Sequence, residues 1–355
     1  MSDILNLTWK DLYVHDGSES DGYVDLRNLL YNKLVDFPFI FLVGARGIGK
    51  TYASIDLTYT DNIPSIFMRR TQTQCDAIST NELFQGSEYC MKNDIIYDIQ
   101  TMTKNLYGVY FNESEYALMV QTALSTIANI RGFNMLDRKI LWYDEFLPEK
   151  HARAMRYEGQ ALLNAYESIN RNREFQGAAP LKLVAMSNSD RLDNPLFADF
   201  NLITACDKQF EKGHIYYADK SRGVCVINFV NSPVSEKKKN TALYKFSKGM
   251  DFQDMALENK FMDEKSKQKS INLKKLEPIM NLGELTIYRT KDTKEFYVST
   301  HYMKTGLVFT NTEKSLLAWR KCDYCRGMYY MYLHDDLFFE NYNCEYLFKR
   351  YCENN

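Results

Sequence analysis

The sequence predicts an α/β fold with a largely parallel sheet over about the first 230 residues. Short, continuous apolar runs bounded by turn residues recur along this part of the chain, which is typical of strands buried on both faces. Helical patterns separate several of these runs. The composition agrees, because 355 residues with 45% hydrophobic and 25% charged side chains suit a globular protein of two or three domains and exclude a disordered chain.

The predicted elements follow in chain order. The first strand is 38–43, which ends at Gly44, and a helix starts at Lys50. Further strands are predicted at 65–68, 116–121, 139–143 and 181–186. The helix between the last two is indicated by apolar residues at spacings of 7, 4 and 3, namely Met155, Leu162, Tyr166 and Ile169. Segments 213–219 and 223–229 are predicted to form an antiparallel pair.

The composition changes after this region. Residues 235–275 hold 11 lysines, no arginine and six acidic residues, a charge of +5 within a chain whose formal net charge is -2. We interpret 233–265 as a helical, Lys-rich linker between a domain at 1–232 and a small α+β domain at 266–355. The C-terminal pattern predicts a hairpin formed by 284–290 and 295–301. It also predicts two more strands, at 307–310 and 328–333, and two helices, at 314–319 and 342–351.

The first residues lack a basic segment typical of a secretory signal, and the longest apolar stretch is far shorter than the ~20 residues that cross a bilayer. We therefore expect no membrane association and a cytoplasmic location. The eight cysteines are expected to be reduced thiols. Cys322 and Cys325 form a lone CxxC, and no second pair completes a zinc motif.

A phosphate-binding loop follows the first strand and opens the first helix, which is the context that the motif GxxxxGK[ST] requires. Its residues are Gly44, Ala45, Arg46, Gly47, Ile48, Gly49, Lys50 and Thr51. The glycines allow backbone N–H groups to surround phosphate oxygens at a helix N-terminus. Lys50 is expected to contact the β- and γ-phosphates of ATP, and Thr51 to bind Mg²⁺.

Two acidic residues end the strand at 139–143. We expect Asp144 to hold Mg²⁺ and Glu145 to polarise the attacking water. A glutamate directly after the Mg²⁺ aspartate favours an ATP-hydrolysing motor over a slow GTP switch. More than 90 residues separate Asp144 from Lys50, which leaves room for the extra strand of the additional-strand (ASCE) class of P-loop ATPases.

Two further positions follow from this geometry. Asn188 comes at the tip of the strand 181–186, where it could contact the γ-phosphate or the water, although an ordinary turn is the equal alternative. Arg171 ends the helix after the acidic strand, where it could enter a neighbouring subunit's site as an arginine finger. The alternative is a cation favoured at a helix C-terminus. Arg46 lies inside the loop, while Arg69 and Arg70 follow another strand.

These motifs resemble the DNA encapsidation ATPase of small tailed bacteriophages, the picovirus type, which is related to terminase large subunits. The similar segments lie between about residues 35 and 205 and are 44–52, 66–70, 143–146 with 149–150, 171–174, and 187–188 with 194–195. The Arg-x-Arg-Glu and Asp-Glu-Phe elements are more specific than the loop.

The resemblance implies a ring motor, a pentameric homo-oligomer, that drives double-stranded DNA through the capsid portal (connector) into a preformed capsid. It implies ATP and Mg²⁺ as cofactors, a host-cytoplasmic protein transiently at the portal vertex, and a degenerate RNase H-like nuclease fold in the C-terminal domain. Arg171 corresponds to the trans-acting finger and Arg131 to a second trans-acting basic residue. A structural packaging RNA is a further partner of the relatives.

Two alternatives stay open from the sequence. The first is a terminase-like motor that also cuts DNA, which would need converging carboxylates. The C-terminal segment has few carboxylates in suitable positions. Each strand of the predicted hairpin has a single acid, its first residue, Glu284 or Glu295, and Asp335 and Asp336 follow only after the apolar run that ends at Leu333. The second is a nucleotide-gated DNA-binding or assembly protein with slow turnover, against which Glu145 and Arg171 argue.

Overall fold

The computed structural model describes most of the chain. The described residues are 5–130, 135–147, 155, 157–188, 194–247, 267–269, 271–290, 295–334 and 336–353. They form two compact units, of which the first comprises Met1–Asp190 with Lys208–Phe261 and the second comprises Arg191–Asp207 with Met262–Asn355. The sequence-based boundaries of the linker stay a prediction. No helix among the described residues is long and apolar enough to cross a membrane.

The first unit contains a nine-stranded sheet in the order β3-β4-β5-β2-β6-β7-β1-β9-β8. Its strands are β1 (Phe39–Gly44), β2 (Ser65–Arg69), β3 (Tyr97–Thr103), β4 (Leu106–Phe111), β5 (Met119–Ala123), β6 (Ile140–Asp144), β7 (Lys182–Asn188), β8 (Tyr216–Asp219) and β9 (Val224–Phe229). Six adjacent strands, β5, β2, β6, β7, β1 and β9, run parallel to one another. The predicted parallel sheet is confirmed, and β7 is the additional strand between β1 and β6.

Helices cover and connect the strands of this unit. They are α1 (Leu26–Asn28), α2 (Lys50–Thr60), α3 (Gln72–Ile78), α4 (Ser87–Lys92), α5 (Glu158–Asn170), α8 (Pro233–Lys238) and α9 (Ala242–Phe246). Of the two helices between α5 and α8 in the chain, α6 (Pro195–Asp199) belongs to the second unit, and the residues of α7 (Ile203–Glu211) are divided between the two units. Shorter 3₁₀ or π segments are Trp9–Leu12, Leu29–Lys33, Leu124–Ile130 and Glu174–Gln176. Within the predicted helical linker, α8 and α9 are helical, and residues from 248 to 265 lie outside the described part.

Two sequence predictions in this unit need correction, and one hairpin is missing from them. β5 begins at Met119 rather than at 116, since Tyr116 is exposed and follows a turn. α5 begins at Glu158, so Met155 precedes the helix that its spacing suggested. The hairpin of β3 and β4 was not predicted, because the exposed strand β3 lacks an apolar run. By contrast, the antiparallel pair of β8 and β9 is confirmed.

A buried ion pair joins the residue after β2 to the first residue of α5. Arg70 donates from Nε and Nη2 to the two carboxylate oxygens of Glu158 at 2.8 and 2.9 Å, and Tyr143 donates to the same carboxylate at 3.0 Å. Both charged side chains are almost fully buried. Burial of charge is costly in itself, so this pair fixes how α5 meets the sheet more than it adds net stability.

Glu158→Gln is expected to lower the free energy of unfolding by about 3 kcal/mol, because the buried Arg70 guanidinium loses its counter-charge. Urea unfolding followed by tryptophan fluorescence measures this. Glu19→Gln is the matched control, since it removes an ion pair with Lys92 whose side chains are 80% and 54% exposed. The control should leave the midpoint unchanged. Equal midpoints for the two variants would contradict the assigned role of the pair.

The second unit contains a five-stranded sheet in the order β13-β10-β11-β12-β14. Its strands and helices are β10 (Leu276–Leu282), β11 (Leu285–Thr290), β12 (Phe296–Ser299), β13 (Leu307–Phe309), β14 (Leu337–Phe339), α10 (Glu313–Lys321), α11 (Asp323–Leu333) and α12 (Tyr342–Cys352), with a 3₁₀ turn at Leu273–Lys275. The predicted hairpin is confirmed as β11 and β12. The predicted helices are α10 and α12.

The predicted strand at 328–333 is wrong, because these residues belong to α11. Cys325, Met328 and Tyr332 are the buried residues of this helix. Their spacings of three and four residues place them on one helical face. The run of apolar and aromatic residues concealed this period. Among the described residues, no group of three or more His, Cys, Asp or Glu side chains could hold a metal ion; Asp335 lies outside them.

Candidate active site

The phosphate loop connects β1 to α2, and its glycines are required by the backbone and by close neighbours. Gly47 and Gly49 have φ angles of 66° and 90°, which side-chain-bearing residues rarely adopt. Gly44 has a different reason, since a Cβ there would lie 2.6 Å from Cβ of Phe229 on the neighbouring strand β9. Ala45 and Ile48 are buried, and they anchor the loop to the core.

Lys50 is buried at the start of α2, beneath this loop. Its Nζ donates to the carbonyls of Gly44 at 3.2 Å and Ala45 at 3.0 Å and to Oδ1 of Asn188 at 3.4 Å. Burial lowers the pKa of Lys50 to about 8, while the carboxylates of Asp144 and Glu145 oppose the shift. An anion bound in the loop would stabilise the protonated form, so Lys50 is prepared to hold a phosphate.

The acidic residues lie at the same edge because β6 runs parallel to β7 and β7 to β1. Asp144 pairs in register with Met186, and Gly44 pairs with Asn188. Thr51 donates from Oγ1 to Oδ2 of buried Asp144 at 3.1 Å. Glu145 follows with a φ of 53° and a side chain that is 49% exposed, so its carboxylate can reach solvent.

Arg69 ends β2 and contacts both acids. Its Nη2 lies 3.0 Å from Oδ2 of Asp144, and its Nη1 lies 3.4 Å from Oε2 of Glu145. The guanidinium is 12% exposed, so its charge is poorly screened by water. Arg69 therefore balances two neighbouring carboxylates and orients them. Sequence reasoning missed this role because it cannot tell that β2 lies beside β6.

The phosphate loop and the two acids line one pocket of about 540 Å³. Its lining residues are Arg46, Gly47, Gly49, Lys50, Thr51, Tyr52, Asp144, Glu145, Ser187 and Asn188. The structure therefore brings together the predicted loop, both predicted acids and Asn188. The donor set of Thr51 and Asp144 consists of oxygens, which Mg²⁺ prefers, and it adjoins a loop with the geometry of a phosphate site. These residues fit a Mg²⁺–nucleotide complex.

The predicted arginines lie in three different situations. Arg171 caps the C-terminus of α5 with an exposed side chain and contacts the carbonyl of Ser168 at 3.4 Å. Arg173 is buried and donates to the carbonyls of Arg138, Ile169 and Asn170. Arg131 lies outside the described residues. Arg171 and Arg173 do not line the pocket.

A second unpredicted contact reaches the loop from α8. Lys238 donates from Nζ to the carbonyls of Arg46 at 2.8 Å and Gly47 at 3.0 Å. The lysine is about 190 residues from the loop in sequence, and it lies in a run of three lysines. That run indicates a solvated surface, and no spacing distinguishes the lysine that contacts the loop.

Comparisons with known proteins agree on one family. A family model described as "Podovirus DNA encapsidation protein (Gp16)" matches residues 23–318. The DNA packaging proteins of Bacillus phage PZA and Bacillus phage phi29 are each 26% identical to the chain over 246 residues, which cover 66% of the chain and 67% of each relative.

Solved structures give the same fold. The chain is similar to one titled "The bacteriophage Phi-29 viral genome packaging motor assembly", with a TM-score of 0.61, 18% identity, and coverage of 93% of this chain and 99% of that one. For "The Phi-28 gp11 DNA packaging Motor" the TM-score is 0.58 at 18% identity, with coverage of 89% and 95%. Identity at this level supports the fold rather than individual residues.

Proposed function

This chain belongs to the podovirus DNA encapsidation protein (Gp16) family, and on that premise we propose that it is an ATP-hydrolysing motor that packages double-stranded DNA into a preformed capsid. The observation that carries the chemistry is the shared pocket of Lys50, Thr51, Asp144 and Glu145. A cation, a hydroxyl and two carboxylates at one sheet edge are the groups that phosphoryl transfer to water requires.

Each residue has a separate role in this proposal. Lys50 binds the β- and γ-phosphates together with the backbone N–H groups of the glycine-rich loop. Thr51 and Asp144 hold Mg²⁺, which when bound neutralises charge on the phosphates. Glu145 accepts a proton from the attacking water. Arg69 keeps the two carboxylates oriented, and Asn188 contacts the γ-phosphate or the water from the tip of β7.

The charge that develops on the γ-phosphate needs a second cation, and in this proposal a neighbouring subunit supplies it. Arg173 is buried and donates to three backbone carbonyls of its own subunit, whereas Arg171 is exposed at the C-terminal end of α5. In a head-to-tail ring every site would receive the Arg171 of the next subunit. The ring is proposed to be pentameric, and Arg131 stays a candidate for a second trans-acting residue.

The partners follow from the family premise. They are double-stranded DNA, the capsid portal and a structural packaging RNA. The protein would act in the host cytoplasm and at the portal vertex. The 233–265 segment would serve as the linker to a C-terminal domain at 266–355 that resembles a degenerate nuclease.

ATPase assays with and without long double-stranded DNA test the function. DNA is expected to stimulate phosphate release by the wild-type protein, and Lys50→Ala should remove the stimulated rate. Slow turnover that DNA does not change would favour a nucleotide-gated binding protein instead. Mn²⁺-dependent shortening of the DNA in the same assay would support the nuclease-bearing alternative.

Within the run of three lysines, Lys237 is the expected DNA contact. Lys238 binds the phosphate loop, and Lys239 lies 2.8 Å from Glu236. Lys237→Gln should reduce the slope of log affinity against log salt by about one, since one phosphate contact is lost. The control is Lys104→Gln, an equal charge change at the exposed β3–β4 turn. If Lys237→Gln leaves the slope unchanged, the DNA track lies elsewhere.

A further inference from the structure

Lys238 joins α8 to the outer side of the phosphate loop. Its ammonium is shared by the carbonyls of Arg46 and Gly47. A Cβ on residue 47 would lie 2.2 Å from that Nζ, so the ammonium lies directly against the loop backbone. The φ of 66° at Gly47 gives the position its need for glycine.

The helix that carries Lys238 is itself firmly placed. Ser232 caps its N-terminus by accepting from the backbone N–H of Ser235 at 3.2 Å, and Val234 and Ser235 are buried. Pro233 packs closely on Gly22, since a Cβ at Gly22 would lie 2.9 Å from the proline. Displacement of the Lys238 ammonium would therefore require a shift of α8 or a change in the lysine rotamer.

The charges around the loop make this contact sensitive to a bound anion. Both lysines contact carbonyls of this loop: Lys50 contacts those of Gly44 and Ala45, and Lys238 contacts those of Arg46 and Gly47, so the two positive charges repel each other. A polyphosphate in the pocket lined by Arg46, Gly47 and Lys50 would offset the repulsion between the two ammonium groups. Because ATP carries one more phosphate than ADP, it would strengthen the Lys238 contact more than ADP does.

We propose that Lys238 is a positioning residue that couples the nucleotide bound in the phosphate loop to α8 and to the Lys-rich segment that follows it. This inference rests on the nucleotide-binding function proposed above. Coupling of this kind is reciprocal: ATP stabilises the docked position of α8, and docked α8 raises the affinity for ATP. The start of the linker would thus distinguish ATP from ADP without touching DNA.

Calorimetric titration with ATP and with ADP tests the coupling. Lys238→Met removes the charge and keeps an apolar stem of similar length. It is expected to raise the Kd for ATP about fivefold and the Kd for ADP by less. Lys104→Met, which makes the same change of charge at the exposed β3–β4 turn, is the matched control and should leave both constants unchanged. If Lys238 has a purely structural role, Lys238→Met should raise the Kd values for ATP and ADP by the same factor, and that result would overturn the proposal.

The wild-type protein provides a readout that does not depend on a variant folding. Hydrogen exchange of the amides in 233–238 should be slower with ATP than with ADP. Equal exchange with the two nucleotides would overturn the coupling even if both bind. Failure of the wild-type protein to bind ATP, or binding that survives Lys50→Ala, would instead refute the proposed nucleotide site, so the two failures are distinguishable.

Discussion

Glu145→Gln is expected to bind ATP with near wild-type affinity and to hydrolyse it at least about 100-fold more slowly, the lower range for loss of a general base. The amide keeps the size of the side chain but cannot accept the proton of the attacking water. The fold should persist, because Arg69 still pairs with Asp144 at 3.0 Å. Nucleotide affinity by calorimetry and single-turnover phosphate release separate the two effects.

Lys50→Ala is the contrasting variant. It removes the ammonium that donates to Gly44, Ala45 and Asn188, and with it the cation expected between the β- and γ-phosphates. Affinity for ATP should therefore fall together with hydrolysis. If both variants bind ATP equally poorly, the separation of phosphate binding by Lys50 from water activation by Glu145 is wrong.

The candidate site could be predicted from sequence where local pattern and sheet geometry act together. A phosphate loop needs a strand before it and a helix after it, and the carboxyl ends of parallel strands share one edge. These two facts place Lys50, Asp144 and Asn188 near one another without any structure. The position of β7 between β1 and β6 does not follow from this logic, because the spacing of the motifs places the extra strand between Lys50 and Asp144, and β7 comes after Asp144 in the chain.

Other features depend on which distant segments become neighbours. Arg69 reaches Asp144 only because β2 lies next to β6, and strand order is not written in local periodicity. Lys238 reaches Gly47 through the packing of α8. The wrong prediction of a strand at 328–333 has another cause. A short run of apolar and aromatic residues fits the period of a strand as well as that of a helix. The burial of Cys325, Met328 and Tyr332, at helical spacing, shows that the segment is a helix.

Arg171 is the residue for which subunit assembly makes the sharpest prediction. The cations that line the pocket are Lys50, which is expected at the β- and γ-phosphates, and Arg46 of the phosphate loop, while Arg69 contacts the two acids. A second cation for the charge that develops on the γ-phosphate is expected from Arg171 of a neighbour. Arg171→Ala should bind ATP normally and hydrolyse it about 1,000-fold more slowly, the lower end for an arginine finger. Arg171→Lys should recover only part of this rate, because an ammonium lacks the planar fork of guanidinium.

Mixing two inactive proteins tests whether Arg171 acts in trans. In oligomers that contain both Arg171→Ala and Glu145→Gln subunits, some interfaces join an intact Glu145 to an intact Arg171 from the next subunit, so activity should reappear. The matched control mixes Glu145→Gln with Lys50→Ala, in which every site lacks one of its own residues, and this mixture should stay inactive. Subunit exchange is verified separately by fluorescence transfer between labelled proteins. If verified mixed oligomers show no rescue, the finger is Arg173 or Arg131, or Arg171 acts within its own subunit.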